Sequence, residues 1–316
     1  MGDLVSRREL LTTVAGAVAA GMALSEAPGA PGGSARTNFQ IGCMTLPFSA
    51  FPFPDAIQAI RRAGNRYVAW GTRHAGPDGK PAELLEVDDP PSKAATLAKL
   101  CRGAGIEPVM LFARVYVGDA NSIDAHTKRI KQAGAGGLKF VLTFGHIEKG
   151  GHAGWIRNLK TLGLIARDNG VTVVIKQHGG NTATGRDCSR IIAEVADEGV
   201  KMCYDAGNVL DYENQDPIPD INACWRDVRA FAIKDHRNWP QDQDCGPGFG
   251  EIDHYRLLTP VANTGRNMPL VCENIFEPLV ARPSTIEGVE QLARRAREYL
   301  ESVVAGVQTP RKDEGD

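Results

Sequence analysis

Eight times after residue 37 the chain places a short run rich in β-branched residues before a longer stretch of helical period. The runs are "FQIGCMT", "RYVAW", "EPVMLF", "LKFVLT", "VTVVIK", "KMCYD", "VRAFAIK" and "PLVCE". Between them lie patterns such as "FPDAIQAIRRAG", "KAATLAKLCRGAG", "WIRNLKTLGLIARDNG" and "TIEGVEQLARRAREYLESVVAG". Gly64, Gly105, Gly170 and Gly199 stand where helix C-termini favour glycine. Strand, helix, strand at this rhythm demands parallel pairing through right-handed crossovers. The strand ends, near Thr45, Trp70, Phe112, Thr143, Lys176, Asp205, Lys234 and Glu273, lie 25, 42, 31, 33, 29, 29 and 39 residues apart. Eight such units without a dinucleotide fingerprint predict an α/β fold of the closed (β/α)8 TIM barrel kind over 37–305 rather than an open sheet. The charged end "GVQTPRKDEGD", residues 306–316, reads as a frayed tail.

Residues 1–36 stand apart. The pair Arg7 and Arg8 precedes a weakly apolar run from Leu10 to Leu24 and a small, Pro/Gly-rich tail, the pattern of a twin-arginine signal peptide and linker. The run is too short and too rich in Ala and Gly to predict a membrane span. The expectation is a protein exported to the periplasm or another extracytoplasmic space, with no stable span once the leader is cut. A formal net charge of -2, from 36 basic and 38 acidic residues, offers no footprint for nucleic acid. The expected partner is therefore a small molecule, and oligomerisation is left open. Seven dispersed cysteines lack the paired spacing of a zinc site, and several fall in predicted strands as small apolar groups. Twin-arginine cargo folds before export in a reducing compartment, so no disulfide framework is required.

In a barrel of this kind the site is built where the strands end. The second half of the chain is polar there: "IKQHGGN", "YDAGN", "IKDH" and "CENIF". Lys176, His178, Asp205, Asn208, Lys234, Asp235, His236 and Glu273 are predicted to converge on one mouth. A structural ring of ion pairs is the plainer alternative, because charges on apolar strands require partners or a ligand. His178 follows Lys176 by two residues and is expected to face the same way, placed for ligand contact or proton transfer. His74 and His146 follow strands two and four, which puts His74 among the substrate-binding candidates. His126, His152 and His254 fall on or near predicted helices and read as surface residues. Trp70 and Phe112, at strand ends, suit either a sugar ring or barrel packing. Gly246, Gly248 and Gly250 in "CGPGFGEID" do not follow a strand, and their spacing fits a flexible lid better than a phosphate cradle.

The order and spacing of "YDAGN", "IKDH", "GPGFGEID" and "CEN" resemble the xylose isomerase-like TIM barrels, the sugar (phosphate) isomerase/epimerase group. The likeness runs from "IGCMTLPF" to the last helix. It implies proton transfer beside a sugar carbonyl and a divalent metal (Mn, Mg or Zn) held by Glu, Asp, His and Glu on strands five to eight. Asp205 and Glu273 match the second and fourth ligands. The first falls on Lys176 and the third on Ala232, and neither side chain offers a lone pair to a metal.

Three readings of Lys176 follow. Its ammonium stands in for the cation and bridges Asp205 and Glu273; or burial lowers its pKa and makes it a base or carbonyl-trapping amine, which the flanking acids oppose; or a rebuilt metal site uses His178 and His236 with Asp205 and Glu273. The first gives a sugar isomerase/epimerase-like enzyme acting on a small carbohydrate, with Glu273 as base, Lys176 as electrostatic partner and His178 as a further catalytic candidate. His74, Asn208, Lys234, Asp235 and His236 are then the substrate-binding candidates. A keto-glycoside lyase shares the same first step, and the two missing ligands also fit a non-catalytic sugar-binding barrel.

Overall fold

The structure of the chain is a computed structural model that describes residues 35–145 and 151–309. Residues 1–34 of the leader, His146 and residues 310–316 of the expected tail lie outside the described residues. The eight runs form the strands β1 (Asn38–Met44), β2 (Tyr67–Trp70), β3 (Glu107–Tyr116), β4 (Phe140–Phe144), β5 (Thr172–Lys176), β6 (Val200–Tyr204), β7 (Val228–Ile233) and β8 (Asn267–Cys272). Each pairs in parallel with its sequence neighbours, and β8 closes on β1, so the sheet is a closed barrel. Around it lie α1 (Phe53–Arg62), α2 (Pro91–Gly103), α3 (Ser122–Gly136), α4 (Gly151–Asp168), α5 (Gly185–Val195), α6 (Ala206–Glu213), α7 (Pro217–Cys224), α8 (His254–Leu258) and α9 (Ile286–Val307). The fold is a (β/α)8 TIM barrel.

Strand period divides the core in two. Val173 and Ile175 face the helices, whereas Val174 faces the barrel interior with Met44, Met110, Leu142, Cys203, Ala230, Ala232 and Val271. The same parity turns Lys176 inward above Val174. On β7 the inward positions are the small Ala230 and Ala232, which leaves interior volume for a long side chain from a neighbouring strand. All seven cysteines are buried, including those that fall in the predicted strands.

Local chemistry sets the connections. Thr184 and Asp187 form a reciprocal capping box at the start of α5, and Thr285 caps α9. Gly64, Gly105 and Gly170 adopt positive φ just past α1, α2 and α4, as predicted. Gly199 does something else. Helix α5 is ended by Ala196 at φ 52°, while a Cβ on Gly199 would lie 2.1 Å from the Gly163 carbonyl oxygen of α4. That glycine is set by close approach of two backbones, not by a helix stop. Trp70 is fully buried and meets Phe53 edge-on, which makes it a packing residue. Among the described residues no helix is long and apolar enough to cross a membrane.

Two histidines depart from expectation. His152 is exposed, but His126 and His254 are buried, because each sits on the inner face of its helix. His126 lies 2.8 Å from both the Ser122 carbonyl and Thr143 Oγ1. Burial pushes its pKa down from 6.5 to about 4. An unfolded chain therefore takes up this proton at a higher pH than the folded one, so stability present above pH 6.5 drains away as pH falls toward 4. The loss from His126 alone should reach about 3 kcal/mol, at ~1.4 kcal/mol per unit. Urea unfolding across this window should show a shallower pH slope for His126→Gln than for the parent; coincident slopes would show that this site does not govern it.

Candidate active site

Lys176, the last residue of β5, is 2% exposed. Its Nζ donates to Glu273 Oε2 at 2.7 Å and lies 2.9 Å from Asp205 Oδ2. The Asp205 contact is a close charge contact rather than a well-aligned hydrogen bond. Burial opposes an ammonium here, yet the two carboxylates outweigh it and hold Lys176 well above the ordinary lysine range. Burial also opposes the Asp205 charge, but Lys176 and then Lys234 hold that carboxyl below its usual range. A lysine so placed is cationic at neutral pH. The reading in which burial frees its amine as a base or nucleophile fails on this geometry.

Asp205 directly follows β6 and caps α6, a short helix the sequence pattern did not single out. Its Oδ1 accepts from the Asn208 backbone N–H at 3.0 Å, and its own N–H donates to Gln177 Oε1 at 2.8 Å. Asn208 is thereby a supporting residue: its Nδ2 donates to the Gln177 carbonyl at 2.6 Å, fastening α6 to the end of β5. Gln177, fully buried, was missed by sequence reasoning; its one signal was a polar residue of outward parity beside Lys176. Glu273 follows β8, where its N–H donates to the Ile233 carbonyl at 2.7 Å. No described residue donates a hydrogen bond to its Oε1. It lines a cavity of about 260 Å³ with Leu46, Ser49, Lys234, Asn274 and Arg282.

Lys234 crosses Gly207, where a Cβ would lie 2.6 Å from its stem, and reaches Asp244 Oδ2 at 2.5 Å. Burial opposes this charge as well, and Asp205 and Asp244 raise its pKa. Asp235, a substrate-binding candidate in the sequence, anchors a loop through its carboxylate. It is fully buried and accepts from the backbone N–H groups of His236, Gly248 and Ile252 at 2.9, 3.0 and 3.1 Å. Two of those bonds hold the segment "GPGFGEI" at Gly248 and Ile252, and the Gly246 N–H donates to the Phe276 carbonyl at 2.8 Å, so the expected lid is fastened along its length. His74 is likewise internal, at 3% exposure. Thr45 Oγ1 and the Phe51 carbonyl hold its ring at 2.9 and 3.0 Å, and burial lowers its pKa.

The expected set of His178, His236, Asp205 and Glu273 does not come together. His178 stacks on Phe144, ring centroids 4.4 Å apart at 24°. His236 sits on a two-stranded ribbon and faces Asp244, Nδ1 to Oδ1 3.1 Å. Among the described residues, the trio whose ligand atoms lie within 4.8 Å of one another is Asp211, His236 and Asp244, a spacing compatible with a divalent metal. Burial and then the Asp244 charge raise the pKa of Asp211.

Residues 57–303 match the family described as xylose isomerase-like TIM barrel. The chain belongs to that family. No sequence among the curated proteins matches it. Solved structures of the same fold include a xylose isomerase-like TIM barrel protein from Mycobacterium smegmatis in complex with magnesium, at 14% identity and TM-score 0.67, covering 85% of this chain and 98% of that one. D-allulose 3-epimerase from Methylomonas sp. in complex with D-allulose aligns at 14% identity and TM-score 0.62, over 86% and 99%. The 3-keto-D-glucoside 4-epimerase of E. coli aligns at 13% and 0.62, over 84% and 100%.

The xylose isomerase-like metal position itself does not fit an ion here. Lys176 Nζ already lies between the two matching carboxylates, and Ala232 is an inward methyl beside Ala230, Cys203 and Val271. Restoring the missing pair should reverse this. The double variant Lys176→Glu, Ala232→His is expected to bind about one equivalent of Mn²⁺ by calorimetry, and Asp205→Asn should abolish that binding. Tight Mn²⁺ binding by the parent that is lost on Asp205→Asn would show that the position accepts an ion despite its lysine.

Proposed function

We propose that the protein is a sugar isomerase or epimerase that removes a proton from the carbon beside a keto-sugar carbonyl. The observation that carries this is the Lys176 ammonium held between Asp205 and Glu273, with the second Glu273 oxygen left for a ligand. An ammonium has three N–H donors, and two face the carboxylates. The third is the one we assign to the substrate carbonyl oxygen. When Glu273 takes the proton it becomes neutral, and the negative charge appears on the enediolate oxygen beside Lys176. The cation then exchanges one anionic partner for another, so charge moves by a few ångströms without being created in a buried site. The fold relatives with epimerase names support this reading at the level of chemistry.

Elimination from a keto-glycoside begins with the same abstraction, so proton exchange tests both. Incubated in D2O with a panel of ketoses and keto-glycosides, the parent should introduce deuterium beside the carbonyl. Glu273→Gln should slow exchange by roughly 10²–10⁴-fold, the usual worth of a positioned base. Lys176→Met should slow it as well. Sugars that bind the parent with no deuterium uptake would favour a non-catalytic binding barrel.

A further inference from the structure

Opposite the charged tips the mouth carries a run of aromatic rings. Phe112 and Phe144 meet edge-on at 6.0 Å, Tyr116 meets Phe144 at 5.1 Å, His178 stacks on Phe144, and Tyr212 of α6 meets His178 edge-on at 5.6 Å. A bulge in β3 builds this wall. Register with β4 slips between Phe112 and Tyr116, and Arg114 within the slip adopts φ 58°, placing Tyr116 opposite Phe144. Arg114 itself turns out to Glu83, which also takes Arg73. Rings that only pack the core, such as Trp70, Trp155, Tyr204 and Phe231, are fully buried. The wall rings are half-buried, and Tyr212 is 47% exposed.

The wall is continuous with the ionic cluster. Lys176 Nζ lies 5.9 Å from the centre of the Phe112 ring. Burial, and the charges of Asp211 and Asp205, raise the Tyr212 hydroxyl against the pull of Lys234 and Lys176, so that ring borders the same charges. Four acids, Asp205, Glu273, Asp211 and Asp244, outnumber three cations, Lys176, Lys234 and Arg282, the last also lying over the Phe276 ring at 4.3 Å. A phosphate would add negative charge to an anionic mouth. An apolar sugar face, rich in C–H groups, suits half-exposed rings.

From this juxtaposition we propose that the substrate is an uncharged, unphosphorylated hexose or glycoside whose ring lies on the Phe112, Phe144, Tyr116, Tyr212 wall. It rests on the proposed sugar chemistry but is tested by binding rather than turnover. Titration calorimetry should compare D-fructose and methyl glucoside with fructose 6-phosphate and glucose 6-phosphate on the parent and on Glu273→Gln. The neutral sugars should bind at least about tenfold more tightly than their phosphates. Tyr116→Ala and Tyr212→Ala should each weaken neutral-sugar binding about threefold to tenfold, within the range of an aromatic contact. Tyr212→Phe should retain it, since the ring and not the hydroxyl is invoked. Preference for the phosphates, no neutral-sugar binding, or parental affinity in both alanine variants overturns the wall. Wall-dependent binding without deuterium exchange would leave the wall standing and sink the enzyme; exchange with phosphates preferred would do the reverse.

Discussion

A buried ammonium between one fully buried carboxylate and one half-buried carboxylate is the constraint around which the upper half of this barrel is arranged. Lys176, Asp205 and Glu273 come from β5, β6 and β8, so the cluster ties three strand ends across the mouth. Desolvating any one of these charges alone would cost several kcal/mol. Together, each lowers the cost of the others, and the surplus negative charge rests on Glu273, whose side chain alone of the three reaches solvent appreciably, at 16%. The alanines of β7 are part of the same solution. A bulky residue at position 232 would fill interior volume that the small inward side chains of β7 leave open.

A second layer of polar residues fixes this cluster. Gln177 receives the Asp205 N–H, Asn208 returns a bond to Gln177, and Asp205 caps α6, so β5, β6 and α6 form one hydrogen-bonded unit. Asp235 does for the β7 loop what Asp205 does for α6, gathering three backbone N–H groups. The polar residues at strand tips therefore divide into two kinds. Lys176, Glu273 and Lys234 line or border the mouth, while Asn208, Asp235 and His74 hold backbone.

That division marks the limit of what was legible in the chain. Alternating β-branched runs and helical periods revealed the barrel, because parallel strands buried on both faces leave a strong mark on composition. Position at a strand end likewise placed Lys176 at the mouth. Parity fails beyond the strand end, which is why His178, expected beside Lys176, lies on Phe144 instead. A histidine on a helix carries no sign of which face it occupies, so His126 and His254 were read as exposed. The bulge at Arg114 left no mark at all, being a register slip carried by a residue with no preference for positive φ. With it went the signal for the aromatic wall.

The lysine is more than a plug for a lost ion. In the ligand pattern that the family resemblance implies, three carboxylates and a dication leave one net negative charge. Here two carboxylates and an ammonium leave the same. Replacing a glutamate by a lysine shifts the fixed charge by two, which is the charge of the ion that the position does not accommodate, so the net charge around the proposed proton abstraction is unchanged. Coordination does not. A metal can grip two substrate oxygens at once, whereas an ammonium with two of its N–H groups turned to carboxylates would have one left, and a single hydrogen bond fixes a position but not a face. On the proposed function, orientation of the sugar would then come from elsewhere in the mouth. Half-exposed rings of β3, β4 and α6, running up to Phe112 beside the ammonium, are surfaces of the right kind to supply it.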